Sequence, residues 1–375
     1  MKKKFILAAL ILPAIFFSCR EQFSPNLSSP GIGYLIAEGN LNPGNDSTVL
    51  RLTRSYSMQG RPLPLAELNA IVVVEGTDGS SQPLLMTAAG YYTARRLNMS
   101  FTEKYQVRIK TTDGKEYLTD AITPLSTPPI DSIGIKRNEN GASFFVNAKG
   151  NEDQSKYYRW DYDETWEINS YYNSVLIYQE DQNIVRDRLP SELEFRCWKY
   201  DTSSTIQLGA STALSANVIN EKMLFSIPNR DERLAVRYSL MLRQYSMSRD
   251  AYNFYELMKK NTESLGTIFD PQPSELRGNI KCINDENAIV IGFITASTVS
   301  SKRIFVQLPD WTYPQICLLD SITPDSISDF FVGGGLVPIT AEYTPRGSVA
   351  FYVASPGPCV ECTRRNGNLR RPLFW

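Results

Sequence analysis

Four acids stand close together in this chain: Asp161, Asp163, Glu164 and Glu167, set among Tyr158, Trp160, Tyr162 and Trp166. Carboxylate-only chemistry is what the composition leaves open. The 375 residues contain no histidine, which removes Ser-His-Asp and Cys-His nucleophiles, the H-E-x-x-H zinc proteases and most His-ligated metal sites. Glycoside hydrolysis needs only two carboxyl groups facing one cleft, about 5–10 Å apart. Same-face neighbours along a strand lie about 6.5–7 Å apart, which would suit Asp161 and Asp163. Acids on the solvent side of any half-buried strand look the same, so no catalytic residue is assigned and the chain is not expected to be an enzyme. A carboxylate-based, glycan-acting enzyme is one alternative; a structural or adhesive surface protein is another.

The six cysteines carry the other reactive chemistry. Cys359-Val360-Glu361-Cys362 is a C-x-x-C, but without a second such pair or a histidine it makes a poor zinc site, and without a βαβ setting a poor redox motif. No metal or cofactor is expected. Structural disulfides are the default in an exported chain. Cys359 and Cys362 are expected to bond to Cys197 and Cys317, with Cys282 left over. Cys19 belongs to another device. Lys2, Lys3 and Lys4 precede an apolar run from Phe5 to Phe17, broken only by Pro13, and Ser18 follows. That is the layout of a secretory signal peptide. The run is too short to span a membrane, which takes about 17–25 residues. A cysteine directly after Ser18 looks like a lipobox, whose thiol is diacylated and becomes the mature first residue, although Phe16 stands where Leu is usual. Cys19 is therefore the expected lipidation site.

Other motifs read more plainly. Gly333-Gly334-Gly335 lacks the Lys-Ser/Thr of a phosphate loop and reads as a hinge or hairpin connection. Asp46-Ser47-Thr48, Asp131-Ser132-Ile133, Asp320-Ser321-Ile322 and Asp325-Ser326-Ile327 resemble acceptors for O-glycans on exported proteins. With 39 basic against 40 acidic residues, no basic face for nucleic acid is expected. The cluster Arg364, Arg365, Arg370 and Arg371 reads as a solvated tail.

The elements that must position these groups are mostly strands. Residues 1–19 form the lipoprotein signal peptide and 20–30 a polar tether. Short runs follow at Gly33–Glu38, Thr48–Arg54, Ala70–Glu75, Leu84–Thr87, Tyr91–Arg95, Tyr105–Lys110 and Glu116–Ile122, with turns at Asp78-Gly79, Ala89-Gly90 and Asp113-Gly114. Residues 31–123 thus predict an antiparallel β-sandwich, immunoglobulin-like or transthyretin-like. The proline-rich stretch 124–130 is a linker. Residues 131–375 predict a second β-rich domain of the same sandwich-like kind, with one inserted helix at about 248–265. Its clearest strand is Tyr157–Ile168, with Tyr158, Trp160, Tyr162, Trp166 and Ile168 on one face and Arg159, Asp161, Asp163, Thr165 and Glu167 on the other. The aromatic row reads as sandwich core rather than as a sugar platform. Ser248 suits the helix N-cap and Gly266 its C′ stop, and the rigid Phe269-Asp270-Pro271-Gln272-Pro273 loop then packs the helix back on the sheet.

Several stretches together resemble a known family. They are Ala251-Tyr252-Asn253-Phe254-Tyr255, Phe269-Asp270-Pro271-Gln272-Pro273-Ser274, Gly278-Asn279-Ile280, Ile291-Gly292-Phe293-Ile294-Thr295-Ala296-Ser297, Lys302-Arg303-Ile304-Phe305 and Cys359-Val360-Glu361-Cys362 with Pro372-Leu373-Phe374-Trp375. They are similar to a Bacteroidetes lipoprotein family catalogued only as a domain of unknown function, in which the lipobox is looser. The resemblance implies a β-rich outer-membrane lipoprotein, periplasmic or surface-facing, often encoded beside a TonB-dependent receptor. It implies a binding or accessory role with such a transporter, and it brings no ligand and no active-site residues.

Overall fold

A computed structural model describes residues 33–55, 65–212, 216–263 and 276–375. Cys19, the signal stretch, the tether, Gly266 and the Phe269–Pro273 loop lie outside them. The protein is mainly β, with several sheets, one of them nearly closed and barrel-like.

Two-residue periodicity builds that first sheet. Leu35–Leu41, Thr48–Arg54, Ile71–Gly76 and Tyr105–Lys110 each turn alternate side chains inward. Leu35, Ala37, Leu50, Leu52, Val72, Val74, Val107 and Ile109 meet in one core. Each large apolar side chain so buried contributes about 1.5–3 kcal/mol. Ser81–Ala88, Tyr91–Ala94 and Glu116–Thr119 complete the antiparallel run.

The closure corrects two expectations. Ile280–Cys282 pairs with Glu116–Thr119, while Val290–Ile291 and Ile294–Ala296 lie parallel to Leu35–Leu41. The sheet is therefore not wholly antiparallel, and a segment beyond the expected division at residue 131 completes the first module. Unpaired strand edges need partners, and a segment arriving from far along the chain has no hairpin forcing it antiparallel. The backbones come so close that only glycine fits. A Cβ on Gly292, whose φ is +130°, would lie 1.9 Å from the Ala37 oxygen, and one on Gly278 would lie 1.5 Å from the Gly292 oxygen. Asn279 brackets the join, donating to the Ile294 oxygen at 2.8 Å and accepting from the Ile294 N–H at 3.0 Å.

Residues 124–130 connect the modules but do not hang free. Leu125 N–H donates to Ala296 and its carbonyl accepts from Thr298, and Gln244 Nε2 donates to the Pro128 oxygen at 2.9 Å. Beyond them, two sheets share a second core. One holds Ile130–Asn138, Gly141–Lys149 and Val218–Pro228; the other is built around the central strand Tyr157–Asn169. Phe225 stacks on Phe144 at 4.7 Å and on Tyr162 at 4.3 Å. Ile130–Asn138 and Arg196–Thr202 escaped the sequence reading because both are edge strands in which buried and exposed positions do not alternate cleanly.

The helix spans Arg249–Glu263, inside the expected bounds, and Ser248 Oγ accepts from the Ala251 N–H at 3.2 Å. Ala251, Phe254 and Tyr255 face Phe293, Leu208 and Met247, so the helix bridges the barrel and the second module. A small sheet of Asp320–Ile322, Leu336–Tyr343 and Val349–Pro356 lies beside the hairpin Leu176–Gln179 and Ile184–Asp187. Gly333–Gly335 lies between a short helix, Ile327–Phe331, and the Leu336–Tyr343 strand, and Gly334 sits against the Arg364 guanidinium. Disulfides join Cys197 to Cys362 and Cys317 to Cys359. Cys282 is the free cysteine among the described residues, its thiol donating to Asn284 at 3.3 Å.

Candidate functional site

The central strand is paired with Arg237–Met247 on one side and with Arg196–Thr202 and Gln207–Ala210 on the other. Alternation sends Tyr158, Trp160, Tyr162, Trp166 and Ile168 into the core. Glu164 has the same parity and goes with them, at 4% exposure. A carboxylate there must be paired. Tyr238 Oη donates to Glu164 Oε1 at 2.6 Å and Arg233 Nη1 donates at 3.1 Å, while Asp231 holds the other side of the Arg233 guanidinium. Burial, then the Glu164 charge, pushes the Tyr238 hydroxyl well above the usual tyrosine range and Tyr162 up to about 12. Glu164 therefore anchors the core.

Asp161 and Asp163 lie on the opposite face, as the period requires, but one side chain occupies both. Arg243 Nε donates to Asp161 Oδ1 at 2.6 Å, and its Nη1 and Nη2 donate to Asp163 at 2.6 and 2.8 Å. The hydrogen bonds to Asp163, with the charge of Asp161, raise Arg243 above its ordinary value. Both carboxylates are spent on a cross-strand guanidinium. Glu167 is used too: Arg196 pairs with it at 3.0 Å, and Trp375 Nε1 donates to it at 3.1 Å.

That last bond belongs to a strap, residues 362–375, laid along the sheet. Its root is the Cys197–Cys362 disulfide. Trp198 and Asn368 then exchange backbone hydrogen bonds of 2.8 and 2.9 Å. Phe374 lies 3.5 Å from the Arg303 guanidinium, and Trp375 meets Phe305 edge-on at 5.6 Å. Arg364 and Arg365 are not a solvated tail. Arg364 pairs with Glu361, and Arg365 pairs with Glu232 at 3.0 Å, where Lys199 also donates. Burial alone would raise the Glu232 carboxyl; the hydrogen bonds from Lys199 and Arg365 outweigh it and hold it below the usual range. Arg370 and Arg371 are exposed.

Two clefts flank this strap. One of about 820 Å³ passes Trp166, Trp198, Tyr200, Asn366 and Leu369, and one of about 400 Å³ passes Trp198, Tyr200, Arg370, Leu373 and Phe374. Sequence reasoning missed them because Tyr200 and Asn368 are ordinary surface types until the disulfide brings their segments together. Of the possible glycan acceptors, Ser47, Ser132 and Ser321 are exposed, and Ser326 is half-buried. Among the described residues, no group of three or more Cys, Asp or Glu could hold a metal ion, and no helix is long and apolar enough to cross a membrane.

Of the stretches singled out by resemblance, Phe269-Asp270-Pro271-Gln272-Pro273-Ser274 lies outside the described residues, and the others serve the architecture. Gly278-Asn279-Ile280 and Ile291–Ser297 close the barrel, Ala251–Tyr255 is the buried start of the helix, and Lys302–Phe305 receives Phe374 and Trp375. A family model described as Domain of unknown function (DUF4249) matches residues 20–303, and the chain belongs to that family. No curated protein matches it.

Proposed function

We propose that this DUF4249 member is an outer-membrane lipoprotein, held by acyl chains on Cys19, that serves as a binding or accessory component of a TonB-dependent transporter. Two sandwich-like β modules would then project from the membrane, facing the periplasm or the cell surface. The observation that carries binding over catalysis is Arg243, which takes up both acids that glycoside hydrolysis would need. The two disulfides support export, since such bonds persist in oxidising compartments. Each buried acyl methylene contributes about 0.8 kcal/mol, and one chain gives only marginal attachment, so stable anchoring takes more than one. Metabolic labelling with a fatty-acid probe should mark the native chain and miss Cys19→Ala. Mild detergent extraction at native expression should recover it with an outer-membrane transporter. Equal labelling of both forms, or recovery alone, would overturn the proposal.

A further inference from the structure

Tyr200 breaks the pattern of its own strand. In Arg196–Thr202 the neighbours Cys197 and Trp198 are buried, whereas Tyr200 is 77% exposed, an unusual place for a large ring. Trp198, Tyr200 and Asn368 line both clefts beside the strap, so the two are halves of one groove with Tyr200 standing between them. The lining combines aromatic rings and the Asn366 and Asn368 amides with the aliphatic Leu369, Pro372 and Leu373. Trp198 is 8% exposed, and its Nε1 finds no hydrogen-bond partner among the described residues. A buried donor left unpaired costs stability, and a small shift of that ring would offer it to a ligand seated in the groove. Arg370 lines the smaller cleft and is exposed, with no acid paired to it among the described residues.

We infer that this groove binds an oligosaccharide, one ring on each side of Tyr200, with an acidic sugar beside Arg370. Sugar rings present an apolar C–H face that stacks on an aromatic ring, and hydroxyls that bridge to amides. A carboxylate or sulfate on the second ring pairs with guanidinium. A peptide adding to the sheet edge is disfavoured here, because the Trp198 N–H and C=O are already taken by Asn368.

The inference rests on the reading of this chain as a binding protein, and its test leaves Cys19 and the barrel untouched, so lipid labelling and transporter co-purification report on that reading separately. The full chain, extracted in detergent, is applied to an array of neutral and uronate- or sulfate-bearing oligosaccharides. Acidic glycans should be retained. Tyr200→Ala should weaken binding at least about tenfold with an unchanged melting temperature, and Trp198→Phe should weaken it without loss of stability. Arg370→Gln should erase the preference for acidic over neutral glycans. Retention of no glycan, or wild-type affinity in both Tyr200→Ala and Trp198→Phe, would overturn the proposal; an unchanged preference in Arg370→Gln would overturn its acidic end.

Discussion

Replacing Glu164 with leucine separates a structural acid from a catalytic one. The carboxylate is buried on the aromatic face and accepts from Tyr238 and Arg233. Leucine fills similar space but accepts nothing. The Tyr238 hydroxyl, in a fully buried residue, would then be unpaired at a cost of about 1–3 kcal/mol. Arg233 would keep Asp231 but lose a charge-assisted bond, which is typically about 1.5–3 kcal/mol and less here because the side chain is partly exposed. The total, about 3–5 kcal/mol, matches the usual cost of breaking a buried pair, and the melting temperature should fall on the order of 10 °C. Adding Tyr238→Phe removes the stranded hydroxyl, so the double variant should be more stable than the sum of the single losses, by about 1 kcal/mol or more. Thermal and urea melts read both quantities. A loss below about 1 kcal/mol for Glu164→Leu, or strict additivity, would refute the argument.

Asp161→Asn with Asp163→Asn should cost no more than about 1–2 kcal/mol, since the ladder with Arg243 is partly exposed, and should leave glycan retention unchanged; urea melts and the array check both. Gly292→Ala should destabilise on the order of 3 kcal/mol, because its Cβ meets the Ala37 carbonyl and its φ is unfavourable, and hydrogen exchange should show Leu35–Leu41 opening first. Removing Cys197–Cys362, which spans 165 residues, should cost up to about 5 kcal/mol, against about 4 for Cys317–Cys359, which spans 42; melts of the two double-serine variants compare them. Tyr162 and Tyr245 titrate near 12 when folded and Tyr238 higher, against 10.0 for a free tyrosine. The contribution of Tyr162 and Tyr245 is therefore complete below about pH 10 and lost as the pH rises through about 12, that of Tyr238 declines from the same point over a window reaching higher, and Tyr238→Phe should flatten the decline in urea midpoints measured against pH.

What could be read from residues alone was whatever is local. Thr48–Arg54 and Tyr105–Lys110 have the bounds that their alternation predicts, because a strand's inward face follows from its own period of two. Glu164 shares the parity of Trp160, Tyr162 and Trp166, a clue to burial that the sequence reading did not take up, and a buried carboxylate needs partners. Which partner was beyond reach: Arg233 lies 69 residues away, and Arg243 lies 82 residues from Asp161. The same holds for the barrel's parallel closure by a segment some 250 residues downstream, with Asn40 and Ser297 bonded across 257 positions. The strap that makes a groove beside Tyr200 likewise depends on a disulfide between distant segments. Periodicity decided which side chains face inward and which outward. Only the assembled sheets decided what each meets there, because edge pairing, ion pairing and cross-linking are chosen among all segments of the chain at once.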